Sequence, residues 1–405
     1  MKKFDVPVGY RSNLITHIKN ERKAADKLKK DFTPTAVKAG NITFYLARHF
    51  GFCYGVENAI EIAFTTIENN PGKRIFLLSE MIHNPQVNAD LLAKGVQFLQ
   101  DPYGKQLISF DTITSDDVVL IPAFGTTLEI EKMLTAKGIA VEKYNTTCPF
   151  VEKVWNRGEQ IAAKGYSIVI HGKPTHEETR ATFSHASANA PSVVVNDMKE
   201  AKLLAQFITG EHPAEAFYEV FANRYSPGFD VSKHLQRIGV INQTTQLATD
   251  TQAISDYLKQ VIQQHYQLSP ENLQHHFADT RDTLCYATND NQSAVIGLLE
   301  QPADFAIVVG GYNSSNTSHL VELCEQKLPT YFIDSANKIL NSTTLQQTNW
   351  QTKEQFLVAN YWPAKEQISI LVTSGASCPD SVVEAVLRQL LAVHEVTDDL
   401  VAQLP

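Results

Sequence analysis

Ala47-Arg48-His49-Phe50-Gly51-Phe52-Cys53-Tyr54-Gly55-Val56-Glu57-Asn58-Ala59-Ile60 holds a strand end, a glycine-flanked cysteine and a helix start. The preceding residues 42–46 alternate and are rich in β-formers, which predicts a strand. Val56, Ile60 and Ala63 recur at helical spacing, which predicts an amphipathic helix. Cys53 therefore falls where unpaired backbone N–H groups and the helix dipole favour negative charge. A thiol in that place is expected to have a lowered pKa. The same device recurs at Thr146-Thr147-Cys148-Pro149-Phe150-Val151, after a strand-like run at 140–144. It recurs again at Thr283-Leu284-Cys285-Tyr286-Ala287-Thr288, before a helical run at 292–299.

Outward from these junctions the chain alternates strand, loop and helix. Strands are predicted at 42–46, 74–78, 118–123, 140–144, 167–171, 192–195, 238–241, 305–309, 330–333 and 368–372. Helical patterns lie between most of them, which predicts an α/β protein with mainly parallel sheets. So many short strands fit several small sheets better than one. Residues 1–40 stand apart as an N-terminal arm, in which the charge-rich run 20–30 predicts a solvated helix. Residues 210–235 show no clear period and are expected to be an inserted excursion.

Bulk properties exclude whole classes of function. The chain has 405 residues, enough for two or three domains. Its net charge of −9 argues against nucleic acid as the main partner. No apolar run approaches the roughly 20 residues that span a bilayer, and the first residues lack a signal-peptide apolar core. The five cysteines are an odd number spread over a long chain, which fits a reducing, cytoplasmic setting better than a disulfide framework.

The chemistry-bearing residues form three groups. Among the cysteines, Cys324 sits on an apolar helical face and reads as core, while Cys378 lies in a polar loop with no assigned role. Three lone thiolates meeting at a zinc ion would want a fourth ligand. An iron–sulfur cluster held by three leaves one iron open for substrate. His83 and His176 follow predicted strands, at the strand ends where open α/β sheets bind ligands. Glu178, at a helix opening, suits either a capping carboxylate or a proton donor. Lastly, the turns at 242–245, 310–317 and 374–377 are rich in hydroxyls and amides. Each fits plain N-capping. Taken together with two histidines, they suit the cradle of a phosphorylated ligand.

The motifs, in chain order, are Gly51-Phe52-Cys53-Tyr54-Gly55-Val56, Ile82-His83-Asn84, Thr147-Cys148-Pro149, His176-Glu177-Glu178-Thr179, Gln243-Thr244-Thr245, Cys285-Tyr286-Ala287-Thr288, Asn313-Ser314-Ser315-Asn316 and Gly375-Ala376-Ser377. In this order they resemble the 4-hydroxy-3-methylbut-2-enyl diphosphate reductase (LytB) family. The resemblance runs from about residue 41 to about residue 391, and the long arm is similar to the plant and cyanobacterial branch.

The resemblance implies three small α/β domains around a central [4Fe–4S] cluster. Here they would be residues 41–147, 148–282 and 283–405, giving Cys53, Cys148 and Cys285 as ligands. It implies that His83, His176, Ser314, Ser315, Asn316 and Ser377 hold the substrate diphosphate. Glu178 is implied as the proton donor, with Thr244 beside the substrate hydroxyl. The implied reaction is reductive dehydroxylation of (E)-4-hydroxy-3-methylbut-2-enyl diphosphate to isopentenyl and dimethylallyl diphosphate, the last step of the methylerythritol phosphate route. Electrons would come from a ferredoxin or flavodoxin. No nucleic acid or membrane is implied. The setting would be the bacterial cytoplasm, or the plastid stroma for a processed plant chain.

One position departs from the pattern. Phe124 stands where many members carry a phosphate-binding histidine, so Thr126, Thr127 or a backbone N–H is expected to compensate. Two other classes compete: a zinc- or thiolate-dependent transferase or hydrolase, betrayed by stoichiometric zinc, and a non-catalytic binder, which would need neither Glu178 nor three cysteines.

Overall fold

Apolar runs bounded by turn residues become the buried strands. The computed structural model describes residues 4–278 and 283–397. The first three residues of the arm, the expected boundary at residue 282 and the last residues of the expected third domain lie outside the described residues. The chain divides into two compact units. The first comprises Met1–Glu61, Ile82–Asp90 and Tyr286–Pro405, and the second Ile62–Met81 and Leu91–Cys285.

The first unit is built on a five-stranded sheet, in the order Thr35–Ala39, Ile42–Leu46, Ile368–Ser374, Phe305–Val309, Thr330–Ile333. All pairs are parallel except the edge pair Thr35–Ala39 with Ile42–Leu46. Phe305–Val309 is buried at every residue, as expected of a strand covered on both faces. Phe44, Phe305, Phe332 and Ile370 lie in its core. The unit also carries an antiparallel hairpin, Thr344–Thr348 with Gln355–Ala359.

The second unit holds two three-stranded parallel sheets. One orders Gln97–Phe98, Ile75–Leu77, Val118–Leu120, and the other Ser192–Val195, Ser167–His171, Ile238–Asn242. The parallel α/β class is as expected. Every cysteine junction lies between a strand or loop and a helix: Tyr54–Asn69 follows Cys53, Pro149–Ala162 follows Cys148 and Tyr286–Leu298 follows Cys285.

Four local expectations are corrected. Residues 140–144 are not a strand: they end in a 3-10 turn, Glu142–Tyr144, and only an isolated bridge joins Ile121 to Asn145. Ile139, Val141 and Tyr144 are buried from a tight bend, where no strand can extend. The arm's helix is Asn13–Ala25, not 20–30, and it is not wholly solvated. Its N-cap Ser12 accepts from the Ile15 amide at 2.9 Å, and Leu14, Ile15 and Ile18 are buried. Residues 210–235 are an ordered part of the second core. Two short helices, Ala214–Val220 and Val231–His234, bury Phe217 and Phe229, whose rings stack at 5.1 Å. Each helix is too short to show a period. The last correction is that the helix after Cys285 starts at Tyr286 and not at 292.

Candidate functional site

In the second unit, acid, hydroxyl and thiol are assembled within one hydrogen-bonded group. His176 caps the helix Glu177–Ser187, its Nδ1 accepting from the Glu178 amide at 3.2 Å. A neutral ring in that role carries its proton on Nε2, as a donor. Glu178 is only 1% exposed. The Thr244 amide donates to its Oε1 at 2.6 Å and the Thr244 hydroxyl to its Oε2 at 2.9 Å. The Thr244 carbonyl in turn accepts from the Cys285 amide at 3.2 Å. Gln243 locks this loop, its Oε1 accepting from the Thr179 hydroxyl and the Lys173 amide. The neighbouring acid Glu177 accepts a hydrogen bond from the Ser79 hydroxyl.

Cys148 N-caps Pro149–Ala162, with proline in the first helical turn. Its amide donates to the Ala123 carbonyl at 2.9 Å. The expected lowering of its thiol pKa is reversed. Burial pushes it up to about 12, against the pull of the Phe150 and Val151 amides, and repulsion from Cys285 and Glu178 adds to the rise.

Phe124 does not reach for a phosphate. Its ring meets that of His176 edge-on, centroids 5.6 Å apart at 84°. The carbonyl of Thr126, an expected substitute, accepts from the His185 ring, a contact that involves neither its hydroxyl nor its amide.

In the first unit, the remaining predicted residues cluster around two turns. Cys53 donates its amide to the Ala376 carbonyl at 3.1 Å and accepts from the Glu57 amide at 3.0 Å. Gly51 sits at φ +78°, and a Cβ there would lie 2.4 Å from the Asp380 carboxylate, so only glycine suits the turn. His83 is buried, and its carbonyl accepts from the Ser377 hydroxyl at 3.1 Å. Gly311 packs against the same carbonyl so tightly that a Cβ would lie 2.1 Å away. Ser314 caps the helix Ser315–Glu325 by accepting from the Thr317 amide at 3.2 Å, which leaves its hydroxyl hydrogen to donate elsewhere. Ser315 opens that helix, where amides face outward.

Asn316 carries the clearest sign of a ligand. Its Oδ1 accepts from the Ala376 amide at 2.9 Å and from Asn291 Nδ2 at 3.3 Å. Its Nδ2, buried, has no partner, and a buried orphan donor is costly unless an acceptor binds there. Asn291 is absent from the sequence prediction. Its signal was a run of polar residues, Thr288, Asn291 and Gln292, on the buried face of a core helix.

The residues suit an iron–sulfur group by their chemistry. Cys53, Cys148 and Cys285 are half-buried, while Cys324 and Cys378 are buried. Among the described residues, no three His, Cys, Asp or Glu side chains gather tightly enough for a single metal ion. A multi-iron cluster does not ask for that, because each cysteine binds a different iron.

The chain matches the sequence profile of the LytB protein family over residues 44–391. It is 39% identical over 364 residues to a protein of Synechococcus sp. (strain RCC307) named 4-hydroxy-3-methylbut-2-enyl diphosphate reductase, covering 89% of this chain and 86% of that one. A protein of the same name from Cyanothece sp. is 37% identical, covering 89% and 87%. Among solved structures, the E-1-hydroxy-2-methyl-but-2-enyl-4-diphosphate reductase from Plasmodium falciparum matches with a TM-score of 0.60 at 21% identity, over 86% of this chain and 87% of that chain. An (E)-4-hydroxy-3-methyl-but-2-enyl diphosphate reductase structure matches with a TM-score of 0.50 at 24% identity, over 86% and 98%. At such identity the structural likeness establishes the fold alone.

Proposed function

The chain belongs to the LytB protein family, and from that premise we propose that it catalyses the reductive dehydroxylation of (E)-4-hydroxy-3-methylbut-2-enyl diphosphate. Two electrons and two protons enter. The allylic C–O bond breaks, one proton leaves with the hydroxyl as water, and the other goes to carbon, giving isopentenyl or dimethylallyl diphosphate. The observation that carries this reading is the buried Glu178 carboxyl gripped at both oxygens by Thr244, whose carbonyl holds Cys285. Hydroxide is a poor leaving group, so the reaction needs an acid at that oxygen.

Cys53, Cys148 and Cys285 would hold a [4Fe–4S] cluster. Such a cluster supplies an open, Lewis-acidic iron and a store for electrons. The rest falls to side chains. The His176 Nε2–H, the Ser314 hydroxyl and the orphan Asn316 Nδ2 are neutral donors suited to a diphosphate, joined by His83, Ser315 and Ser377. When Glu178 carries the proton, the 2.9 Å bond to Thr244 runs in reverse. The Thr244 hydroxyl can then pass its own hydrogen to the substrate oxygen.

The division into three α/β domains, at 41–147, 148–282 and 283–405, is part of this proposal and is supported by three separate sheets built mainly of parallel strands. One strand of the first range joins the sheet of the third: Ile42–Leu46 hydrogen-bonds to Ile368–Ser374. No helix among the described residues is long and apolar enough to cross a membrane, which fits a cytoplasmic or stromal setting. A ferredoxin or flavodoxin is the proposed electron source.

The test is anaerobic purification with iron and sulfide analysis, then turnover of the allylic diphosphate with a one-electron reductant. A brown protein that forms both products meets the expectation. A colourless protein with stoichiometric zinc after cluster reconstitution overturns it in favour of a zinc-dependent transferase or hydrolase.

A further inference from the structure

The C-terminal end of the arm's helix is a basic knuckle in an acidic chain. Lys23, Lys27, Lys29 and Lys30 are all exposed, although the whole chain carries a net charge of −9. The one acid among them, Asp26, faces inward, accepting from the Asp31 amide at 2.9 Å and standing 3.9 Å from the Arg48 guanidinium. Lys29 leans back towards Asp290 at 3.5 Å. Lys23, Lys27 and Lys30 take part in no ion pair among the described residues, and Leu28 stands between them 77% exposed. An apolar tip rimmed by charge is the anatomy of a protein interface.

The knuckle adjoins a cavity of about 220 Å³ that ends on the first cysteine loop. Lys19, Lys23, Lys29 and Arg48 line it against two acids, Glu57 and Asp290, and Cys53 and Tyr54 lie along it. Arg48 is 7% exposed, and its Nε finds no acceptor. The arm is fastened to that loop by rings: Phe4 meets Tyr54 edge-on at 4.8 Å and Tyr10 meets Phe52 at 5.9 Å. The Lys19 ammonium stands over Phe50 at 4.6 Å. The basic surface is thus held in place beside Cys53.

We propose that this lysine knuckle is the docking surface for a small, acidic, one-electron carrier protein, which delivers its electrons beside Cys53. The inference rests on the reductase reading, because that reaction draws two electrons from outside the chain. Each docking oxidises one carrier by one electron, so two carriers serve each turnover, with two protons consumed and one water released. Charge complementarity selects the partner: an acidic surface is steered to the knuckle, and exposed pairs of this kind set the encounter more than the lifetime.

The test compares the wild-type holoenzyme with the triple variant Lys23→Glu/Lys27→Glu/Lys30→Glu. An acidic [2Fe–2S] ferredoxin serves as the protein donor and reduced methyl viologen as the small one. The triple variant is expected to show a ferredoxin KM raised about tenfold or more at low salt, with calorimetric binding weakened alike and a flatter salt dependence. Viologen-driven turnover and iron content should stay within about twofold of wild type, a shift small against the effect on docking. Normal viologen turnover with ferredoxin affinity unmoved overturns the docking face alone. Wild-type protein inert with both donors overturns the reductase reading, and the docking proposal falls with it.

Discussion

Thr244 meets Glu178 at both carboxylate oxygens, through its amide at 2.6 Å and its hydroxyl at 2.9 Å. The amide fixes the carboxyl's orientation, and in the proposed reaction the hydroxyl is its exit for a proton. Replacing Glu178 by Gln keeps the size and the amide contact while removing the proton. Turnover is expected to fall by roughly 10²–10⁴-fold, the usual contribution of a positioned acid, with iron content unchanged. Thr244→Val keeps the amide contact but not the exit, with an expected loss of roughly 10–100-fold, that of one hydrogen bond to a charged group. Near-normal single-turnover rates in Glu178→Gln would remove the acid from the mechanism.

Gly311 and His83 test the proposed diphosphate cradle without touching a charged group. Gly311→Ala drives a Cβ to 2.1 Å from the His83 carbonyl, a backbone atom that cannot swing aside. The cost is about 1–3 kcal/mol of overpacking, and the His83 segment must shift relative to Ser377. The expected result is a folded protein of lower Tm with a raised KM for the diphosphate. Thermal unfolding and steady-state kinetics on one preparation decide it, and a lower Tm with unchanged KM would show that His83 does not act through this contact.

The parallel α/β class was legible because strands such as Ser167–His171 and Phe305–Val309 are short apolar runs closed by glycine or polar turns. The cysteine junctions were legible for the same reason: Gly51, Pro149 and Tyr286 mark changes of local conformation. What stayed hidden depends on neighbours far along the chain. The sequence around Cys148 predicts a lowered thiol pKa, but burial beside Cys285 and Glu178 decides its sign. Nothing near Asn291 announces that its amide holds Asn316, 25 residues on. The arm reads as solvated because its charges outnumber the few apolar residues, Phe4, Tyr10 and Leu14 among them, that attach it to the first unit.

His49 supplies a pH test of that attachment. Burial pushes its pKa down to about 4, with Arg48 and Lys29 repelling the proton and Asp290 and Asp26 drawing it. The folded state therefore holds a neutral ring where the unfolded chain protonates near 6.5. Stability from this group is full above the unfolded value and is lost as pH falls from about 6.5 towards about 4. Unfolding midpoints at pH 7.5 and 5.0 should diverge more in wild type than in His49→Phe. An equal pH response in the two proteins would mean that His49 is not held neutral.

Phe124 packs edge-on against His176, and the proposed diphosphate site gives that contact a positioning role. Its ring edge meets His176 at 5.6 Å and 84°, while the Glu178 amide pins the histidine's Nδ1. Between them the imidazole has one orientation left, with Nε2 as its donor. Phe124→Ala removes the edge contact, worth roughly 1 kcal/mol, and frees the ring to turn against a single hydrogen bond. KM for the diphosphate should rise about fivefold, the equivalent of that energy, with kcat changed less because Glu178 and Thr244 are untouched. Phe124→His keeps an aromatic edge of similar reach and adds a donor, so its KM should fall to the wild-type value or below. If Phe124→Ala binds the substrate as well as wild type, His176 is held by its cap alone and the phenylalanine is only filling space.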